Sequence, residues 1–192
     1  MSEQNRRSTD GRRRRSETSR DKIVEAMLAI VAEGQITPSA EQVALRAEVG
    51  LRSVFRHFKD MESLYAEMTA RLSRQYQMWL VPFITADWRG QLAETLERRV
   101  TTYEKLMPFK RAADAHRHES TSIQTEHART LALMRARLKA LLPEEIAGDE
   151  LRFETLDLLL SFESWQRLRV EQNLPAGKAR ALIAAQVDRL TA

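Results

Sequence analysis

Apolar residues recur at three- and four-residue intervals along most of the chain, and no stretch alternates apolar with polar positions as a half-buried strand would. Ile23, Met27, Ile30 and Val31 share one face of a helix starting near Ser19, and Gly34 stands where a left-handed cap would stop it. Ser39, with Gln42 three residues on, has capping-box spacing and predicts a short second helix whose Val43, Ala44 and Ala47 form a small-residue face. A break at Glu48-Val49-Gly50 comes next. Leu51, Val54, Phe55 and Phe58 then fall on one side of a third short helix, and Arg52, Ser53, Arg56 and His57 on the other. Asp60 can cap a long fourth helix lined by Leu64, Met68, Leu72, Tyr76, Trp79 and Phe83, with Pro82 kinking or ending it. Further helices are predicted over about 90–105, 120–142, 149–173 and 177–191, with a short helix and loops around Pro108 over 106–119. The predicted fold is all-α, with about nine helices.

Three helices in the N-terminal region, the last two short and three residues apart, make a helix-turn-helix. Small residues at Ala44 and Ala47 let two short helices cross closely. The third helix buries one face and offers hydrogen-bond donors on the other. Arg can bond a guanine edge through two parallel bonds, and Ser and His suit phosphate or base contacts. An ordinary surface helix with solvated arginines is the plain alternative.

Composition narrows the class. Of 192 residues, 43% are hydrophobic and 30% charged, which is ordinary globular usage and argues against wholesale disorder or a fibrous protein. The absence of Cys excludes a disulfide scaffold, a thiolate metal site and a cysteine nucleophile. No apolar run reaches the ~20 residues of a membrane span, and no apolar segment succeeds the polar start as in a secretory signal. The expected location is the cytoplasm, with no membrane partner.

The net charge of +4 is concentrated at the start of the chain. Residues 1–20 hold seven Arg, among them Arg12, Arg13, Arg14 and Arg15, against Glu3, Asp10 and Glu17. The remainder is close to balanced. Residues 1–17 show no apolar periodicity and read as a disordered basic arm. Two uses stand open: a solvated tail, or an arm that neutralises phosphates or enters a minor groove.

Residues 19–68 resemble the DNA-binding domain of the TetR/AcrR family of bacterial transcriptional regulators. Ser39-Ala40-Glu41-Gln42-Val43-Ala44 is similar to the family's helix-two pattern, and Ala47-Glu48-Val49-Gly50 occupies its turn. The stretch from Phe55-Arg56-His57-Phe58-Lys59 through Leu64-Tyr65 resembles the family's Tyr-x-His-Phe…Lys-x-x-Leu signature. Four residues depart from the pattern. Glu48 replaces a turn Gly, so a left-handed conformation there would cost about 1 kcal/mol. Gly50 replaces a capping Ser, Phe55 replaces a Tyr whose hydroxyl meets phosphate, and Met61 replaces a Lys that meets phosphate. The resemblance implies an N-terminal helix-turn-helix domain (18–66) joined through a long fourth helix to a C-terminal effector-binding and dimerisation domain (67–192). The predicted DNA contacts are Ser39, Gly50, Leu51, Arg52, Ser53, Phe55, Arg56, His57 and Lys59, with Arg12, Arg13, Arg14 and Arg15 of the arm; the arm, Arg52, Arg56 and Lys59 are expected to compensate electrostatically for the two missing phosphate contacts.

In the C-terminal part, Leu151, Leu158, Phe162 and Trp165 form one stripe on the 149–173 helix, and Phe153, Leu156, Leu160 and Leu168 lie elsewhere around it. A helix apolar over so wide an arc needs cover on two sides. We expect a homodimer through the helices at 149–173 and 177–191, whose two-fold axis suits a palindromic double-stranded DNA operator. Trp79, Phe83, Tyr103, Met107, Met134, Phe162 and Trp165 can line a cavity or form plain core. His127 lies on an apolar stripe, as a hydrogen-bonded core residue or a polar group in that cavity. His116, His118 and Glu119 are read as exposed, without a metal. Family resemblance implies an apolar or amphipathic small effector.

Enzyme signatures are lacking: no Glu-x-x-His, no Gly-rich phosphate loop and no paired His at metalloprotease spacing. No metal or cofactor is expected. The leading expectation is a regulator, acting as a repressor. Two rivals stand beside it: a sequence-tolerant architectural DNA-binding protein using the Arg arm, and a helical ligand-binding protein or enzyme with a decayed helix-turn-helix.

Overall fold

The computed structural model describes residues 3–75, 81–118 and 120–192, with side chains from Glu17 onward. The described residues form ten α-helices and no strand, as the apolar periodicity predicted. They are α1 Glu3–Ala32, α2 Ala40–Arg46, α3 Leu51–His57, α4 Met61–Gln75, α5 Trp88–Arg117, α6 Thr121–Leu141, α7 Glu144–Ala147, α8 Glu150–Leu159, α9 Phe162–Gln166 and α10 Ala176–Thr191. A π-helical turn, Arg167–Glu171, continues from α9.

The chain separates into two compact units. One comprises Met1–Gln75 with Pro108–Thr125, the other Tyr76–Met107 with Glu126–Ala192. In this division α5 and α6 each give residues to both units.

In the first unit, Ile23, Met27 and Val31 of α1, Val43 and Ala44 of α2, Val54 of α3 and Leu64 and Met68 of α4 are buried together with Phe58. Each of these Val, Leu, Ile, Met and Phe side chains contributes about 1.5–3 kcal/mol of burial. Polar contacts fix the angles. Arg20 of α1 pairs with Glu67 of α4 at 2.6 Å and lays its guanidinium 5.0 Å over the Phe58 ring. Arg71 of α4 reaches back to Glu25 at 2.7 Å. Tyr65 donates to the Ile36 carbonyl at 3.0 Å.

The second unit buries Leu92, Leu96 and Tyr103 of α5, Leu138 of α6, Leu156 of α8, Trp165 of α9 and Ile183 of α10 in one cluster. The segment before α5 is pinned to it. Glu94 accepts from the amides of Ile84 and Thr85 and from the Thr85 hydroxyl at 2.6 Å. Gly90 makes this close approach possible: a Cβ there would stand 2.8 Å from Thr85 Cβ.

Four sequence expectations are corrected. Helix α1 begins at Glu3, where a structureless arm to residue 17 was expected. Arg and Gln have good helix propensity, and the helix already anchored by Ile23 to Val31 propagates backward. A separate short helix with loops was expected over 106–119, yet α5 runs through Pro108 to Arg117. The one hydrogen bond lost at Pro108 is outweighed by the helix-favouring residues after it, the buried Ala112 and Ala113, and a 2.7 Å Lys110–Asp114 pair. The single helix expected over 149–173 is broken at Leu160-Ser161, because Ser161 caps a new helix by accepting from the Ser164 amide. Phe83 lies outside any helix, beyond the described end of α4; Tyr76 and Trp79 fall outside the described residues.

Candidate nucleic-acid interface and ligand cavity

The geometry of the first unit is set by its caps. Ser39 closes a reciprocal capping box on α2, accepting from the Gln42 amide at 3.3 Å while Gln42 Oε1 accepts from the Ser39 amide at 2.8 Å. At the other end the Val49 amide donates to the Ala44 carbonyl at 3.0 Å and the Glu48 amide to Leu45 at 3.2 Å. This is a Schellman ending, and it places Glu48 at φ 55, the left-handed position. The chain then reverses through Gly50, in extended conformation, into α3. After α3, Asp60 accepts from the Ser63 amide at 2.8 Å and starts α4. That hydrogen bond holds the Asp60 carboxyl below its ordinary pKa.

Helix α3 buries a narrower face than its spacing predicted. Val54 and the adjoining Phe58 are buried, but Leu51 is 39% and Phe55 48% exposed. They join Arg52 and Arg56 in one exposed stripe of α3, and the exposed Lys59 stands two residues beyond the helix end. The reason is length. A seven-residue helix held by Val54, and by Phe58 just beyond it, has no second neighbour to cover the 51/55 side. Ser53 and His57 lie half-buried at the flank. Burial, with Arg56 and Arg20 adding repulsion, lowers the His57 pKa and favours the neutral ring. Ser39 is exposed, with its hydroxyl used in the cap. The side chains of Arg12, Arg13, Arg14 and Arg15 lie outside the described ones.

The stripe combines two guanidinium forks with two apolar side chains, and Lys59 adds an exposed ammonium after the helix. The forks match guanine edges or phosphates, and Leu or Phe can meet a thymine methyl. Leu45 of α2 is also exposed.

His116 corrects the expectation of exposure. Its ring stacks 4.0 Å from Tyr65 within the first unit, with Nε2 buried and without a hydrogen-bond partner among the described residues. His118 is exposed, and Glu119 lies outside the described residues. Among the described residues no group of three or more His, Cys, Asp or Glu is placed to hold a metal.

The second unit contains a cavity of about 360 Å³, in the range of small-molecule sites. Of the ring and methionine positions singled out in the sequence, Phe83, Tyr103 and Met134 line it. Phe162 and Trp165 are core, with Phe162 packed edge-on against Tyr103 at 5.4 Å. Met107 packs against that core, and His127 is half-buried elsewhere on α6. Trp79 lies outside the described residues. Sequence reading missed Arg98, Arg99, Thr102, Arg137 and Leu138 in the lining. Arginines at helical spacing look like a solvated face, and only tertiary packing turned these inward.

The break between α8 and α9 matters here. It frees the Leu160 carbonyl, which accepts from Arg99 Nη1 at 3.0 Å and the Tyr103 hydroxyl at 2.9 Å. Burial pushes the Tyr103 pKa up to about 12, so its hydroxyl stays a neutral donor. Arg98 bonds Glu94 at 2.9 Å and the Pro82 carbonyl at 2.7 Å, with Phe83 stacked under its guanidinium.

No protein-family model matches the sequence, and neither does any curated protein. Solved structures do match. The fold is the all-α fold of TetR-type transcriptional regulators. A candidate transcriptional regulator from Pseudomonas aeruginosa PAO1 aligns with TM-score 0.64 at 19% identity, covering 90% of this chain and 89% of that one. A transcriptional regulator from Rhodococcus sp. Rha1 aligns at 0.66 and 17% identity, covering 89% and 95%. A candidate TetR-family regulator from Rhodococcus sp. aligns at 0.62 and 18% identity, covering 91% and 99%. No helix of the described residues is long and apolar enough to cross a membrane.

Proposed function

We propose that the protein is a cytoplasmic, dimeric, TetR-type transcriptional repressor that binds a palindromic operator through α3 and is released by a small effector in the second unit. The observation that carries this is the exposed stripe of Leu51, Arg52, Phe55 and Arg56 on a short helix that follows a capped turn, with the exposed Lys59 two residues beyond its end. The fold shared with the three regulators supports it. Dimerisation has its own support. Leu151 and Leu158 of α8 are 81% and 63% exposed, and Leu182 of α10 is also uncovered. Apolar side chains exposed on helices of one unit suit a second copy.

Effector control needs two states that the ligand binds unequally. A difference of about 2–3 kcal/mol changes operator affinity ~30–150-fold.

Fluorescence anisotropy tests the reading, using DNA flanking the gene against scrambled DNA at two salt concentrations. Arg52→Ala is expected to cost about 1–3 kcal/mol on the native site and little on scrambled DNA. Equal binding to both DNAs, abolished by deleting residues 1–17, would instead favour the architectural reading that the seven N-terminal arginines suggest.

A further inference from the structure

The cavity of the second unit has an unusual charge balance. Three arginines line it, Arg98, Arg99 and Arg137, and neither Asp nor Glu does. Arg98 is already neutralised by Glu94. The other two are not. Arg99 is only 9% exposed, yet its guanidinium meets two main-chain carbonyls, Leu160 at 3.0 Å and Met134 at 3.1 Å, and no carboxylate among the described residues. Arg137 forms no ion pair among the described residues. Several other arginines of the chain are matched with acids: Arg20 with Glu67, Arg135 with Glu154 and Asp157, Arg169 with Glu104, Arg180 with Glu97.

A buried cation without a counter-charge is costly, because a carbonyl oxygen carries only a partial charge. Two of the five N–H donors of Arg99 are used, and the guanidinium fork suits a carboxylate. The remaining walls are largely apolar, with Phe83, Met134, Leu138 and Leu141 prominent. At roughly 30 Å³ per water-sized unit in the liquid, the cavity holds about a dozen non-hydrogen atoms.

We infer that this cavity takes an organic carboxylate on a compact apolar body, with Arg137 and Arg99 receiving the anion. This inference rests on the reading of the cavity as the effector site. The plain alternative makes Arg99 a brace between α5, α6 and α8, and Arg137 a solvated residue at the rim.

The test is isothermal titration of the full chain with 4-phenylbutyrate, which has the required size, and with 4-phenylbutanol and 4-phenylbutylamine. The carboxylate is expected to bind about 10- to 150-fold more tightly than the alcohol, the range that hydrogen bonds between charged groups give. Arg137→Gln should cut that preference about tenfold or more while leaving the alcohol unchanged, and Arg137→Lys should restore part of it. Arg137 makes no hydrogen bond or ion pair among the described residues, so these variants report on the ligand and not on folding. Alcohol or amine binding as tightly as the carboxylate would overturn the charge assignment but leave the cavity as an effector site. An unchanged preference in Arg137→Gln would overturn the role of that residue. Failure of all three probes to bind would overturn both the inference and the effector reading beneath it.

Discussion

Helices α1 and α2 end in the same way but with different residues in the left-handed position. At α1, Gly34 takes φ 99 while the Gln35 amide donates to Ile30 at 3.3 Å. At α2, Glu48 takes φ 55 while the Val49 amide donates to Ala44 at 3.0 Å. An L side chain in this region costs about 1–2 kcal/mol. Replacing Glu48 with Gly removes that cost but adds about 0.4–1 kcal/mol of backbone entropy to the unfolded chain. Glu48 is exposed and makes no ion pair among the described residues, so little else changes. The net expectation for Glu48→Gly is a gain of about 0.5–1 kcal/mol. Gly34→Ala is expected to lose about 1 kcal/mol, and since nothing lies within 4 Å of the added methyl, the loss is conformational alone. Hydrogen exchange of the α1–α3 amides, at one protein concentration, reads both. Glu48→Gly should slow exchange about two- to fivefold, and Gly34→Ala should speed it by at least a similar factor. Faster exchange in Glu48→Gly, or no acceleration in Gly34→Ala, would refute the strain argument for this turn.

Other expectations can be checked alongside. Gly50→Ser supplies the side-chain cap that α3 lacks, in extended geometry with open space, and should raise stability by a few tenths of a kcal/mol in the same assay. Phe58→Ala removes a buried ring and its contact with Arg20, and should cost about 3–5 kcal/mol, read as a large fall in melting temperature. Glu94 is held at a pKa of about 2, first by the Thr85 hydroxyl and then by main-chain amides. Its folded pKa lies below the unfolded value near 4.5, so its contribution is complete above pH 4.5 and fades as the pH falls through 2. The Thr85 amide resonance should therefore titrate near pH 2 in the native chain, and Glu94→Gln should remove that titration. Leu151→Glu should convert the proposed dimer to a monomer in sedimentation, and an unaltered dimer would place the interface elsewhere.

Much of the first unit was legible in the sequence because its signals are local. The Ser39–Gln42 box, the Asp60 cap, Gly34 and the left-handed site at Glu48 each involve residues within a few positions. Burial of Leu51 and Phe55 was misjudged, since helical spacing identifies a face but not whether a neighbour covers it. The second unit was less legible. Ser161 carried a cap signal that the surrounding apolar run obscured, and Pro108 was overruled by the helix-favouring residues from Lys110 to Asp114. The cavity was half visible: its rings could be guessed, whereas Arg99 became informative only once Leu160 and Met134 were beside it.

Gly90 has a consequence for sequence variation. The segment at Thr85 sits so near α5 that a methyl at position 90 would collide with the branch carbon of residue 85, not with a movable tip. Thr85 cannot simply retreat, since Glu94 binds both its amide and its hydroxyl. Positions 85, 90 and 94 therefore form one inheritable unit. Among relatives that keep this segment in place, a side chain at 90 should coincide with a smaller residue at 85 and with loss of the acid at 94.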